Sequence, residues 1–191
     1  MGLDITAISE MEPIEIPEGI ELWSDEYYDW ENEQDLPGHV WNLYQSENFP
    51  EQGEGLPNGS VIATGGDFGH RAGSYSGYNE WRRLLAKAAL NLTDEQVWAR
   101  VDSGVGYNEI PFGELINFSD ADGTIGPIAS QKLYNDFVQY EEKVMKMLDR
   151  FYLKFEEYEI DGDTYHWFKQ KYKDWMETFR VASNNGAVIF H

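Results

Sequence analysis

The sequence predicts an α+β fold, in which a small, mostly antiparallel sheet that includes the N- and C-terminal strands packs against about four helices. Three observations predict it: alternating apolar residues open the chain, amphipathic helical patterns fill its second half, and a short apolar run closes it. Strands early and helices late, with a last strand returning to the sheet, are typical of this class. At 191 residues, the chain is expected to form a single domain spanning residues 1–191.

The first strand is predicted at residues 2–8, where Leu3, Ile5 and Ala7 alternate with polar positions. Residues from about 9 to 58 are expected to form an acidic, irregular excursion from the sheet, with strands at 20–23 and 39–44. Residues 46–70 are rich in glycine and carry few periodic apolar residues, which predicts a long loop.

Four helices are predicted from the apolar periodicity. The first covers residues 77–90, and the second begins at the capping box formed by Thr93 and Gln96. The third begins at Pro127 and runs to about residue 158, and the fourth follows a turn at 161–163 and ends near residue 182. Gly186 is expected to end the fourth helix in a left-handed cap, before a closing strand at 187–190.

Composition limits the function. The chain has no cysteine, which excludes disulfides and thiolate metal sites, and no apolar stretch of the length that spans a membrane, so we expect a cytoplasmic protein. Its first seventy residues carry sixteen Asp and Glu before the first cation, Arg71. This charge disfavours direct binding to nucleic acid. An acidic surface that maintains solubility is the favoured interpretation, and a surface that meets a basic protein is the alternative.

A glycine- and tyrosine-rich segment, residues 70–82, is the main candidate site, and it runs into the first predicted helix. It offers cations, hydroxyls and aromatic rings beside a helix N-terminus, where free amides and the helix dipole favour anions. The alternative is that Ser74 or Ser76 caps the helix and Arg71 pairs with an acid. The candidate ligand-binding residues here are His70, Arg71, Ser74, Tyr75, Ser76, Tyr78, Asn79, Trp81 and Arg82.

A second polar segment, residues 114–126, adds Asn117, Ser119 and Asp120 to the candidate ligand-binding residues. Asp120 and Asp122 are also the candidate ligands of a divalent cation such as Mg²⁺ or Ca²⁺, which take oxygen ligands. The same Asp-x-Asp-Gly pattern is common in plain turns, and this is the favoured interpretation. No other cofactor is expected, and no catalytic residue is identified.

Four stretches resemble a family of small proteins of bacteriophages and their hosts. They are MGLDITA at the start, FGHRAGSYSGYNEW at 68–81, PFGELINFSDADGTIG at 111–126 and GAVIFH at the end. The resemblance covers the chain except for its acidic stretch and brings no established activity. It implies a phage context, in which small proteins often counter host defences by sequestering or degrading a nucleotide signal, or by blocking a host protein.

Three functions follow from these patterns. The favoured one is a non-enzymatic binding protein that captures a small anionic, nucleotide-like ligand and sequesters a defence signal, with a tyrosine or tryptophan stacking on its base. The second is a metal-dependent hydrolase that uses Asp120 and Asp122, with His70 or His191 as a further ligand. The third is an acidic inhibitor that imitates DNA and binds a basic host protein.

Overall fold

The computed structural model describes residues 2–57, 59–118, 123–153 and 162–191. Within these ranges it confirms the α+β class, with six α-helices and two antiparallel sheets of four and three strands. The strands are β1 Leu3–Ile8, β2 Met11–Pro13, β3 His39–Asn42, β4 Ser60–Ala63, β5 Asp67–Gly73, β6 Thr124–Ile125 and β7 Ala187–Phe190. The helices are α1 Asp25–Glu33, α2 Tyr75–Leu90, α3 Asp94–Asp102, α4 Gly113–Ile116, α5 Pro127–Leu153 and α6 Gly162–Ala182.

The main sheet has the strand order β5-β1-β7-β6, so the predicted N- and C-terminal strands are neighbours within it. They run antiparallel, with Ile5 opposite Phe190 and Ala7 opposite Val188. Leu3, Ile5 and Ala7 are buried, as the alternation at the start of the chain predicts. Helices α2, α5 and α6 complete the core on this sheet.

A second sheet, in the order β2-β4-β3, was not predicted as a separate unit. The long loop predicted at 46–70 is wrong in its second half, because β4 and most of β5 lie there. Val61 and Ala63 bury a small apolar cluster with Ile8, Met11 and Ala187. Glycines at 65 and 66 make the connection between β4 and β5, and their number concealed the short strands on either side.

The acidic segment contains a helix instead of the strand predicted at 20–23. Trp23 has a left-handed backbone with φ of 70°, which no strand residue adopts, and Ser24 caps α1 by accepting the N–H of Tyr27 at 3.1 Å. Tyr27 is the buried residue of α1 and contacts the rings of Trp23 and Trp30. The strand predicted at 39–44 is present as β3.

The largely helical part of the chain, residues 71–191, follows the sequence prediction closely. The capping box at Thr93 forms with Gln96 in both directions, and α5 begins at Pro127. The predicted end of that helix lies outside the described residues. The short helix α4 and the two-residue strand β6 were not predicted, because elements of this length carry no periodicity.

The left-handed cap predicted at Gly186 is wrong. The residue with positive φ after α6 is Asn185, at 46°, and asparagine tolerates this conformation. Gly186 is needed for a different reason, because a Cβ there would lie 1.9 Å from the carbonyl oxygen of Ile8. Its role is to let the chain pass close to β1 before it enters β7.

None of the helices in the described ranges combines the length and the apolar character that crossing a membrane requires.

Candidate functional site

The first candidate segment, residues 70–82, spans the end of β5 and the first half of α2. Ser74 is the N-cap of α2, where its hydroxyl accepts the N–H of Gly77 at 3.0 Å, and the Ser76 hydroxyl lies 3.0 Å from it. This bond satisfies one of the amides that a helix N-terminus leaves unpaired. The structure therefore shows the capping alternative for Ser74. Tyr75, next to it, has an exposed side chain.

Arg71 lies on β5, before the helix begins. Its side chain is 62% exposed, and its Nη1 lies 3.9 Å from Oδ1 of Asp4 on the neighbouring strand. An exposed pair at this distance contributes little to stability. Because β5 and β6 are opposite edges of the main sheet, three strand spacings, roughly 14 Å, separate them. Arg71 is therefore far from the strand on which the second segment ends.

Arg82 joins the two predicted segments instead. Its guanidinium donates to Oδ1 of Asn79 and to the carbonyl of Phe118, and lies 4.5 Å from the centre of the Tyr78 ring. The two hydrogen bonds and the cation–π contact fix its direction. Arg82 thus connects α2 to the chain that follows α4.

The rest of the second segment is described only in part. The side-chain amide of Asn117 donates to the Tyr107 hydroxyl at 2.8 Å. Ser119, Asp120 and Asp122 lie outside the described residues, and so does the predicted metal site. In the part of the chain that is described, no three His, Asp or Glu side chains come together as metal ligands.

The aromatic rings of the first segment belong mainly to the core. Tyr78 and Trp81 are both buried, and their rings stack on each other with centres 6.2 Å apart. Each also stacks on Trp175 of α6, with centres 5.5 Å apart. These contacts occupy the ring of Tyr78, whereas Trp81 also borders a cavity, described below.

Two histidines were singled out in the sequence. His70 faces α6, where its Nδ1 lies 3.1 Å from the Thr178 hydroxyl and its ring meets the edge of Trp175. Burial, helped by the positive charge of Lys171, lowers the pKa of His70 to about 4, so this imidazole is neutral at physiological pH. His191 is exposed, with its Nε2 3.2 Å from the Thr6 hydroxyl.

A cavity of about 580 Å³ lies between α2, the start of α3 and the start of α6, and we call it the helix pocket. Its apolar wall includes Trp81, Leu84, Trp167 and Phe168. Trp167 also lies against Gly73, which places the pocket beside the first predicted segment. Small-molecule sites have volumes of about 300 to 1,000 Å³ and mostly apolar walls, so this cavity has the size and lining of a ligand site.

The polar side of the helix pocket carries two cations one helical turn apart. Arg83 is engaged, since its Nε lies 3.1 Å from Oδ2 of Asp94 and its Nη1 lies 2.9 Å from Oε1 of Glu80. Lys87, four residues further along α2, forms no ion pair with any residue in the described ranges. Lys87 is therefore the cation that a bound anion would meet in this pocket.

A second polar feature is a half-buried lysine held between two buried carboxylates. Lys132 Nζ lies 2.5 Å from Oε2 of Glu114, 2.9 Å from Oδ2 of Asp136 and 2.6 Å from the carbonyl oxygen of Ile110. Burial raises the pKa of Glu114, although the charge of Lys132 opposes this. Asp136 also accepts the N–H of Phe112, whose backbone is left-handed with φ of 59°.

This lysine cluster stabilises a strained turn. A bulky residue with positive φ is unfavourable by about 1 to 3 kcal/mol and persists only where the surroundings impose it. Asp136 and Lys132 provide that constraint by binding the backbone of residues 110 and 112 to α5. The cluster borders a cleft of about 260 Å³, but all three ammonium hydrogens of Lys132 already have acceptors. We therefore interpret it as structural.

Sequence reasoning missed Lys87, Trp167 and the lysine cluster. Lys87 follows Arg83 by four residues on an amphipathic helix, so the sequence alone could have shown that the two cations share one face of the helix. Trp167 had no local signal, because α6 reaches α2 only through tertiary packing. Lys132 and Asp136 also have helical spacing, but Glu114 is eighteen residues away and no local pattern joins it to them.

A scan against models of protein families, a search of curated proteins and a search of solved structures each found no match to this chain. The resemblance to phage proteins therefore remains a prediction, and no activity is carried over from a relative.

Proposed function

We propose that the protein is a non-enzymatic binding protein that captures a small planar ligand with one anionic group, such as a nucleoside monophosphate, in the helix pocket. The observation that carries the proposal is the cavity of about 580 Å³ whose lining combines two indole rings with a lysine that forms no ion pair in the described ranges. Apolar walls with a few placed polar groups are the usual composition of such sites.

The aromatic wall favours a planar ligand. Trp167 is partly exposed and lies near the buried Trp81, so a ring that enters the pocket contacts indole surface. Stacking of a base on an aromatic side chain contributes about 1 to 3 kcal/mol. The indole N–H of Trp81 is buried and has no hydrogen-bond partner among the described residues, and an acceptor on a ligand within its reach would offset that cost.

The charges favour a ligand with a single anionic group. Two carboxylates neutralise Arg83, and Glu95 adds a further negative charge to the lining. Among the described residues that line the pocket, Lys87 alone remains to bind an anion, so a triphosphate would meet more repulsion than attraction. A monophosphate or a carboxylate fits this balance. A protein that binds such a ligand without turnover would remove it from solution, as sequestration of a nucleotide signal requires.

Isothermal titration calorimetry with the four nucleoside monophosphates, their nucleosides and their triphosphates tests the proposal. We expect at least one monophosphate to bind more tightly than its nucleoside and its triphosphate. Lys87→Gln should weaken binding by about tenfold, as expected for loss of a charge-assisted hydrogen bond, and Trp167→Leu should weaken it by a similar factor.

Lys146→Gln is the matched control, because Lys146 is an exposed lysine on α5 that pairs with Glu142, and it should leave affinity unchanged. Near-ultraviolet circular dichroism verifies that each variant is folded. The proposal is wrong if no compound in the panel binds folded protein, or if binding survives both pocket substitutions unchanged.

A further inference from the structure

The outward face of α1 carries unbalanced negative charge. Asp25, Asp29 and Glu33 are spaced four residues apart and all are exposed, so they form one stripe along the helix. None of the three is paired with a cation in the described ranges, and the first seventy residues contain no Lys or Arg. Like charges at this spacing destabilise a helix, and Glu33 also meets the negative end of the helix dipole.

Two large aromatic side chains close to this stripe in the sequence are also exposed. Trp23, just before α1, is 56% exposed, and Tyr28 on α1 is 46% exposed, while Tyr27 between them is buried. Both rings contact the Tyr27 ring, with centres 5.5 Å apart. The parts of them that stay exposed add apolar surface, which a surface that only maintains solubility does not need. Arginine stacks on aromatic faces and binds carboxylates through two hydrogen bonds, whereas lysine does so less well.

We infer that the outward face of α1, formed by Trp23, Asp25, Tyr28, Asp29 and Glu33, is a docking surface for an arginine-rich segment of a partner protein. The stripe from Asp25 to Glu33 extends roughly 12 Å along the helix, which suits several side chains of a polypeptide better than one small cation. Nucleic acid and anionic lipid surfaces carry the same sign of charge as this face and are repelled by it. This surface is separate from the helix pocket and does not depend on it.

The unfavourable charge pattern supports the inference. A partner that supplies guanidinium groups relieves the repulsion within α1 when it binds, so the repulsion in the free protein becomes part of the binding free energy. Because the carboxylates are exposed, the attraction must be screened by salt, with a Debye length of about 10 Å at 0.1 M. The aromatic contacts are less sensitive to salt and give a preference for arginine over lysine.

Fluorescence anisotropy with a labelled nona-arginine peptide tests the inference, with nona-lysine of equal charge as the second probe. The triple variant Asp25→Asn, Asp29→Asn, Glu33→Gln should bind nona-arginine at least tenfold more weakly than the parent protein. The matched control, Glu47→Gln, Glu51→Gln, Glu54→Gln, removes the same charge from another exposed acidic stretch and should change affinity less than about threefold.

The aromatic part has its own readout. The double variant Trp23→Ser, Tyr28→Ser keeps every carboxylate, and it should weaken nona-arginine binding several-fold while leaving nona-lysine binding nearly unchanged. Thermal unfolding verifies the fold, and the α1 triple variant should unfold no earlier than the parent, because it removes repulsion. Equal losses from both acidic triples, equal binding of the two peptides, or binding of duplex DNA or anionic vesicles would overturn the inference.

Discussion

The first seventy residues, which we call the acidic half, and residues 71–191, the helical half, differ in where their charged side chains lie. In the helical half, ionisable side chains enter the interior and are paired there, as Lys132 is between Glu114 and Asp136. In the first seventy residues, most acids lie on the surface, and within the described ranges Asp4 is the one that pairs with a cation, Arg71. The main buried feature of α1 is the aromatic ring of Tyr27. The net charge of -21 therefore has no single role. The paired carboxylates of the interior stabilise the fold, and the unbalanced carboxylates of the surface oppose it.

Packing differs between the two sheets. The main core joins the central sheet to α2, α5 and α6 through stacked rings such as Trp81, Phe137 and Trp175. The second sheet covers a much smaller cluster around Met11 and Val61. Since stability scales with buried apolar area, we expect the main core, which includes β1, to determine the global free energy of unfolding. The acidic half can therefore carry an unfavourable surface, because the rest of the molecule stabilises the fold.

Removing the lysine that pairs with two buried carboxylates should give the largest effect. Lys132→Met keeps the side-chain volume but leaves Glu114 and Asp136 buried without their cation, and we expect a loss of about 3 to 5 kcal/mol in the free energy of unfolding. Urea unfolding measures it. Lys146→Met, which breaks the exposed pair with Glu142, should lose less than about 1 kcal/mol.

The loss in Lys132→Met should shrink at lower pH, because protonation of Glu114 removes one of the two opposed charges. Adding Glu114→Gln to Lys132→Met should recover part of the stability for the same reason. Equal losses in Lys132→Met and Lys146→Met would mean that the cluster is not structural.

The helical half was more predictable than the acidic half, for physical reasons that particular residues show. The capping box at Thr93 and the proline at the start of α5 are local signals, and the structure contains both elements. Strand β4 depends on pairing with β2 and β3, which are distant in sequence, so its four residues looked like loop. Helix α1 was missed because its acids and aromatic residues give weak apolar periodicity.

The candidate site could also be predicted only in part. Arg82 and Trp81 were identified because they belong to a helix with a readable face, although their contacts with Phe118 and Trp175 were not. The helix pocket itself was not predicted, since its walls come from three helices brought together only by tertiary packing. A single sequence can suggest which side chains carry chemistry, but it cannot show which distant ones share a cavity.

A smaller effect is expected at His70, whose pKa is lowered to about 4 from an ordinary value of 6.5. Since the folded state disfavours the charged imidazole, the stabilisation is complete above pH 6.5 and is lost as the pH falls toward 4. Between about pH 7 and pH 5 the loss amounts to about 2 kcal/mol. Lys171 and Asp174 face the ring from α6, where the charge of Lys171 lowers the pKa of His70 further and that of Asp174 opposes this.

Comparison of parent and His70→Gln by urea unfolding at these two pH values isolates this contribution, because the other ionisable groups are common to both. The parent should lose about 2 kcal/mol more than the variant when the pH is lowered. Identical pH dependence in the two proteins would contradict the burial of a neutral imidazole.

The smallest effects are expected from removing one acid in each half. This pair of substitutions compares the two halves most directly. Asp29 has Asp25 and Glu33 four residues to either side, so Asp29→Asn should stabilise α1 by about 0.5 kcal/mol. Glu142 is paired with Lys146 on α5, so Glu142→Gln should slightly destabilise its helix, a change of opposite sign. Amide hydrogen exchange within each helix resolves changes of this size locally. Both changes should fade at about 1 M salt, where the Debye length is about 3 Å. If Asp29→Asn destabilised α1, the acids of the first half would have to be stabilised within the protein itself, and their availability to an arginine-rich partner would lose its physical basis.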